Sequence, residues 1–128
     1  AIMDVVWIEE NIEFNKEGIN IEIQITNYRL RSANFKLRAE VPGHSIKNAE
    51  PRPGKRSGNQ VIWSVGLPTT ESTKYKISIP DGNRGTFEGL ELWIEGMDST
   101  NIIGAEAWTG VADPGISEAI EAQKQGLS

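Results

Sequence analysis

Several segments of this chain alternate strictly between hydrophobic and polar residues. In the clearest segment, residues 19–26, four isoleucines alternate with asparagine, glutamate, glutamine and threonine. A period of two places the isoleucines on one face of a β-strand and the polar side chains on the other. Residues 35–41 and 74–79 repeat this pattern. Each segment is therefore predicted to be a strand with one buried and one solvated face, as in an antiparallel sheet.

Further strands are predicted from short apolar runs that are separated by turn residues. These runs cover residues 4–8, 11–14, 60–65, 90–95 and 101–105, with a short candidate at 45–49. The rest of the segment 42–59 is predicted to be loop, because the segment contains three prolines and three glycines.

Strands without helices at this spacing pack as two sheets. We therefore predict an all-β, immunoglobulin-like antiparallel β-sandwich of seven or eight strands over residues 1–108. An eight-stranded closed barrel is the alternative, and the single apolar face of each clear strand favours the sandwich. Residues 109–128 are predicted to form a short C-terminal tail. We expect this tail to be flexible, with a two-turn helix over residues 117–125, capped by Ser117, as the alternative.

Composition indicates one globular domain. The chain has 128 residues, of which 38% are hydrophobic and 24% charged, and these proportions are unlike those of a disordered chain. It has no cysteine, which modestly favours a reducing compartment. The first residues lack the basic and apolar regions of a signal peptide, and no apolar run is long enough to cross a bilayer. We expect a cytoplasmic protein with no membrane partner.

The net charge of −5 is unevenly distributed. Residues 29–58 carry eight basic and two acidic side chains, a local charge of +6. Residues 88–128 carry eight acidic side chains and one lysine, a local charge of −7. The overall acidity argues against a dedicated nucleic-acid-binding protein, whereas the basic segment allows a local contact with phosphate.

The sequence contains none of the residue patterns that common catalytic and metal sites require. It has no cysteine and only one histidine, His44, so it lacks the ligands of a structural zinc site. No Gly-x-Ser-x-Gly turn is present, and Gly54-Lys55 lacks the spacing and the following Ser or Thr of a phosphate-binding loop. We expect His44 to be a loop residue, and we expect no catalytic residue, metal or cofactor in this domain.

Two acidic groupings are interpreted as structural. Residues 81–85 match only part of a calcium-binding loop, because Glu88 comes too early to supply its terminal carboxylate, and a hairpin turn is favoured. Glu91 and Glu95 share one face of a strand at a separation of roughly 13 Å. This separation is too large for the usual glycosidase pair.

The best candidate for a binding site is a basic loop. Its cationic side chains are those of Lys47, Arg52, Lys55 and Arg56. Such a loop can contact a phosphate backbone, and the contact would weaken with salt. An ordinary solvated loop is the alternative. Aromatic residues are not interleaved with these cations in the sequence. Sequence readout of single-stranded nucleic acid therefore has little support.

Trp93 is a second candidate. Leu92 and Ile94 fall on the apolar face of the same predicted strand, so Trp93 is expected to point outward or to lie beneath a loop. An outward tryptophan is a possible contact for a sugar or a protein. Packing against the tail or a neighbouring domain is the alternative.

Two resemblances to known families follow from short sequence stretches. Residues 25–28, 61–68 and 75–79 resemble prokaryotic immunoglobulin-like modules of the cell-adhesion type. The order of strands, together with residues 92–97 and 103–108, is similar to the immunoglobulin-like C-terminal domain of the B subunit of archaeal DNA topoisomerase VI.

The second resemblance implies an accessory domain of a larger enzyme. That enzyme passes one DNA duplex through another with ATP and magnesium, and its ATPase residues would lie outside this chain. The domain would contact a neighbouring domain or subunit, another protein or DNA, and the resemblance transfers no functional residue. The alternative function is a surface or secreted adhesion or carbohydrate-binding module. The absence of any Asn-x-Ser/Thr sequon does not favour that alternative.

Overall fold

The computed structural model describes residues 4–97 and the strand at residues 102–104. In this part of the chain there are nine strands and no helix long and apolar enough to cross a membrane. The strands are β1 (Val6–Asn15), β2 (Gly18–Asn27), β3 (Ala33–Glu40), β4 (Asn48–Glu50), β5 (Lys55–Ser57), β6 (Gln60–Leu67), β7 (Ser72–Ile79), β8 (Glu91–Glu95) and β9 (Ile102–Gly104).

The strands form two sheets. One has the order β4-β7-β2-β1-β9 and the other the order β5-β6-β3-β8. Neighbouring strands are antiparallel, apart from β1 and β9, which are parallel. The order β4-β7-β2-β1 corresponds to the D-E-B-A sheet of an immunoglobulin domain, with β3 in the position of strand C. The predicted all-β, immunoglobulin-like sandwich is confirmed.

The structure differs from the predicted strand pattern in two places. The two predicted segments 4–8 and 11–14 are one continuous strand, β1, because all ten of its residues pair with β2, from Val6 to Asn15. The hairpin closes at Gly18, whose φ of 115° favours glycine and whose Cβ, if present, would lie 2.1 Å from the carbonyl oxygen of Ile79. Part of the predicted loop is the short strand β5, which pairs with β6.

The core lies between the sheets and is built from the alternating apolar faces. All four isoleucines of β2 are buried, as the period of two predicts. Trp63 of β6 and Tyr75 of β7 belong to opposite sheets, and their ring centroids are 4.7 Å apart. Burial raises the pKa of Tyr75, against a smaller lowering by its hydrogen bond with Thr73, so the ring enters the core uncharged.

The predicted tail lies outside the described residues. The division at residue 108 and the alternative helix over residues 117–125 therefore stay predictions.

The period of two can be tested on β2 with adjacent substitutions. Ile23 is fully buried, whereas Gln24 is half-buried on the outer face of the sheet. We expect Ile23→Ala to lower the free energy of unfolding by about 2–5 kcal/mol, because it leaves a cavity in the core. Gln24→Ala should change it by less than about 0.5 kcal/mol. Urea denaturation measures both, and equal losses would contradict the assignment of the two faces.

Candidate functional site

The four cations predicted to form a basic loop lie along one edge of the sandwich. We call this surface the basic edge, and it consists of Lys47, Arg52, Lys55 and Arg56. β4 is the edge strand of one sheet and β5 the edge strand of the other, so the chain crosses between the sheets over residues 51–54. All four side chains are exposed. The structure therefore brings together the cations that the sequence placed in one loop.

Three of these cations line one groove of about 470 Å³, in which Glu50 is the only acidic residue. The cations of the groove are Lys47, Arg52 and Arg56, so its formal charge is +2. A positively charged groove on a negatively charged protein makes this edge a local site of attraction for anions. No cluster of histidine, aspartate or glutamate side chains suited to a metal ion occurs among the described residues.

The backbone of the basic edge is fixed by hydrogen bonds. The indole Nε1 of Trp63 donates to the carbonyl oxygen of Pro51 at 2.6 Å, and the amide of Gly54 donates to the carbonyl oxygen of Ile62 at 2.9 Å. The guanidinium of Arg56 donates to the carbonyl oxygen of Lys47 at 2.5 Å. The crossing segment is thus anchored to β6 at two points, and its side chains project from an ordered backbone.

The cations of the basic edge differ in whether their charged groups form hydrogen bonds or ion pairs within the protein. The guanidinium of Arg56 is used within the edge itself. In the part of the chain that the structure describes, Arg52 and Lys55 make no hydrogen bond or ion pair through their side chains. The ammonium group of Lys47 also has no such partner, because only the backbone carbonyl of Lys47 is used by Arg56, so these three side chains are available to an external anion.

Trp93 lies on the outer face of β8, between the buried residues Leu92 and Ile94. It is half-buried, and the guanidinium carbon of Arg38, directly opposite on β3, lies 4.5 Å from its ring centroid. Arg38 thereby occupies one face of the indole ring. The assignment of Trp93 as a contact residue stays a prediction.

His44 and the segment 81–85 have structural contacts. The Nε2 of His44 forms a hydrogen bond with the carbonyl oxygen of Thr86 at 2.8 Å. The side-chain oxygen of Asn83 accepts hydrogen bonds from the amides of Gly85 and Thr86 at 2.8 and 3.1 Å. This is the pattern of an asparagine-stabilised turn, in which the side-chain oxygen is already occupied.

The structure also shows an exposed apolar surface that the sequence reasoning missed. Leu30 is 76% exposed and Tyr28 is 45% exposed, and they are the two exposed large hydrophobic residues of the described chain. We call this pair the apolar tip. Arg29, which lies between them, is buried and pairs with Asp4 at 4.0 Å. Alternation carried on from Ile25 would have placed the tip on the outer face, by the same rule that was applied to Trp93.

The loop behind the apolar tip is held by the fully buried side chain of Asn27. Its amide nitrogen donates to the carbonyl oxygens of Arg31 and Leu67 at 3.0 and 2.9 Å. Its side-chain oxygen accepts from the amide of Arg29 at 2.9 Å. The hydroxyl of Thr69 donates to the carbonyl oxygen of Arg29. The tip is consequently presented on an ordered loop.

The chain matches no protein-family model and no curated protein sequence. The function is therefore inferred from these surfaces.

The role of Asn27 can be tested by substitution. Asn27→Ala should lower the free energy of unfolding by about 1–3 kcal/mol, because it leaves buried backbone groups without their hydrogen-bond partner. Asn34→Ala, at an exposed position of β3, is the matched control and should change stability by less than about 0.5 kcal/mol. Thermal unfolding distinguishes them, and a neutral Asn27→Ala would show that the loop is held by other contacts.

Proposed function

We propose that this chain is a non-catalytic binding domain that contacts the phosphate backbone of DNA through the basic edge. The observation that carries the proposal is the exposure of Arg52 and Lys55 on a backbone anchored to β6. Cations on an ordered backbone lose less conformational freedom on binding than cations on a mobile loop. Phosphate contacts of this kind release counterions and depend steeply on salt.

The net charge limits the strength of this contact. A chain of charge −5 repels a polyanion at long range, so attraction is restricted to the surface of the basic edge. We expect weak binding without base readout, with a dissociation constant of about 10⁻⁴ to 10⁻⁶ M at physiological salt. Such an affinity suits a domain that contributes to binding by a larger protein rather than one that locates a site alone.

The resemblance to the C-terminal domain of the topoisomerase VI B subunit supports this proposal. An accessory domain of a cytoplasmic enzyme that changes DNA topology would meet duplex DNA next to the catalytic domains. ATP and magnesium would then belong to those other domains, and this domain would need no cofactor. The alternative of a surface adhesion or carbohydrate-binding module has less support, because the sequence contains no Asn-x-Ser/Thr sequon.

The proposal is tested with a pair of charge-matched double variants. Arg52→Ala/Lys55→Ala should weaken binding to a short DNA duplex roughly tenfold at low salt, and should reduce the slope of log K against log salt by about 2. The control Lys16→Ala/Arg31→Ala removes the same charge at exposed positions outside the basic edge. Fluorescence anisotropy over a salt series measures both.

Two results would overturn the proposal. One is the absence of duplex binding by the unaltered chain at low salt. The other is an equal loss of affinity in both double variants, which would show that only the total charge matters.

A second proposed function is protein contact through the apolar tip. Leu30 exposes 76% of its surface on a loop that buried Asn27 and Arg29 hold in place. Tyrosine is enriched among the residues that anchor protein interfaces, and the exposed leucine beside it adds apolar surface to the contact. The partner proposed is a neighbouring domain or subunit of the larger protein that the topoisomerase resemblance implies.

The absence of cysteine makes this second proposal directly testable. A Leu30→Cys variant should react with a maleimide about tenfold more slowly in the larger protein than in the isolated chain, because the partner would cover the thiol and hinder its reaction. Lys16→Cys, in the β1–β2 turn, is the control and should react equally in both. Equal rates for Leu30→Cys would exclude a contact at the tip.

A further inference from the structure

The strand register aligns four residues that are far apart in the sequence. Lys55 of β5 lies opposite Ile62 of β6, Ile62 lies opposite Arg38 of β3, and Arg38 lies opposite Trp93 of β8. We call these four residues the outer row. They lie on the outer face of the sheet, because Trp63, the residue next to Ile62, points into the core. The row spans three strand spacings, or roughly 14 Å.

One end of the outer row is a stacked pair of planar groups. The guanidinium carbon of Arg38 lies 4.5 Å from the ring centroid of Trp93, and both side chains are half-buried. The Nε of Arg38 is buried without a hydrogen-bond partner. The guanidinium is thus associated with the ring, and no ion pair within the described residues neutralises it. Guanidinium planes and aromatic rings are the groups on which proteins stack unpaired nucleobases.

A groove lies beside this pair on the same face. Its volume is about 610 Å³, and it runs past Lys36, Glu95, Ser64 and Gly66, so its lining carries one positive and one negative side chain. The small side chains of β6 at Ser64 and Gly66 leave this space open, whereas Ile62 fills the corresponding position in the outer row. The groove is shallow and open to solvent.

The charges on this face continue those of the basic edge. Lys55 belongs to both surfaces, and Arg38 and Lys36 are further cations on this face, where Lys36 lies opposite Glu95 of β8. Glu40 of β3 lies opposite Glu91 of β8, in the next row of the same face. Its carboxylate accepts a hydrogen bond from the side-chain amide of Gln60 at 2.9 Å. The outer row itself has two charged residues, Lys55 and Arg38, and both are cations.

We propose that the outer row and its groove bind single-stranded nucleic acid. A base stacks on the Arg38–Trp93 pair, and the backbone crosses Lys55 towards Arg52. This inference rests on the proposed function, because the strand uses the cations of the basic edge. The cations and aromatic residues are not interleaved along the sequence, which argued against readout of single strands. The strand register places them side by side.

The test compares fluorescein-labelled 15-nucleotide oligo(dT), oligo(U) and a DNA duplex by anisotropy. Trp93→Ala should weaken binding of the single strands about tenfold or more, since it removes base stacking, and should change duplex binding by less than about twofold. Trp93→Phe should retain most of the single-strand affinity. Trp7→Ala is the matched control, because Trp7 is a half-buried tryptophan on the outer face of the other sheet.

A second variant keeps the test decisive if Trp93→Ala does not fold. Arg38→Gln keeps a polar side chain of intermediate length and removes the guanidinium, and it should weaken single-strand binding about fivefold or more. Urea denaturation of each variant confirms that it is folded under the binding conditions. Stronger binding of oligo(dT) or of oligo(U) identifies DNA or RNA as the ligand.

The outcomes separate this inference from the proposed function. If Arg52→Ala/Lys55→Ala weakens duplex binding while folded Trp93→Ala and Arg38→Gln bind single strands normally, the inference is wrong and the proposed function stands. Equal losses for duplex and single strands in these variants would also overturn the inference, because they would indicate a general electrostatic effect. If the unaltered chain binds neither kind of oligonucleotide, both proposals fail. A response of Trp93 fluorescence to neutral polysaccharides without any binding of oligonucleotides would assign the face to sugars instead.

Discussion

The indole of Trp63 connects the core of this domain to its charged edge. Its ring packs against Tyr75 of the opposite sheet, with centroids 4.7 Å apart, and its Nε1 donates to the carbonyl oxygen of Pro51 at 2.6 Å. A buried indole is stabilised by the area it removes from water, but its N–H costs about 1–3 kcal/mol if it finds no partner. The crossing segment supplies that partner. One side chain therefore contributes both to the packing of the core and, beside the bond from Gly54 to Ile62, to the position of the basic edge.

This coupling explains how a loop rich in proline and glycine can present ordered cations. Arg52 and Lys55 flank Gly54, whose amide is bonded to Ile62, the residue before Trp63. β6 thus anchors the basic edge through Trp63 on its inner face. On its outer face, Ile62 lies between Lys55 of the basic edge and Arg38, which is opposite Trp93. The two proposed nucleic-acid contacts share this strand as their support.

The sequence predicts the fold where alternation of apolar and polar residues determines it. β2, β3 and β7 were predicted because their apolar residues recur with a period of two. β5 could not be predicted, because Lys55 to Ser57 contains no apolar residue and forms a strand only through its pairing with β6.

The candidate site was predictable only in part, for a related reason. A run of exposed cations is visible in the sequence, so Arg52 and Lys55 were identified before their surroundings were known. The bond from Trp63 to Pro51 and the alignment of Arg38 with Trp93 depend on strand register, which links residues by position in the sheet and not by sequence distance. The outward position of Leu30 was predictable by carrying the alternation of β2 past Thr26, whereas the contacts of buried Asn27 and Arg29 that order its loop were not.

The most direct test of this account is amide hydrogen exchange at Gly54 in a Trp63→Phe variant. Phenylalanine keeps an aromatic ring in the core and removes the N–H that holds Pro51. The account predicts that protection of the Gly54 amide falls by about tenfold or more, whereas the amides of β3, such as that of Leu37, lose no more than the global change in stability. Unchanged protection at Gly54, or the same loss at Gly54 and Leu37, would contradict the claim that Trp63 specifically positions the basic edge.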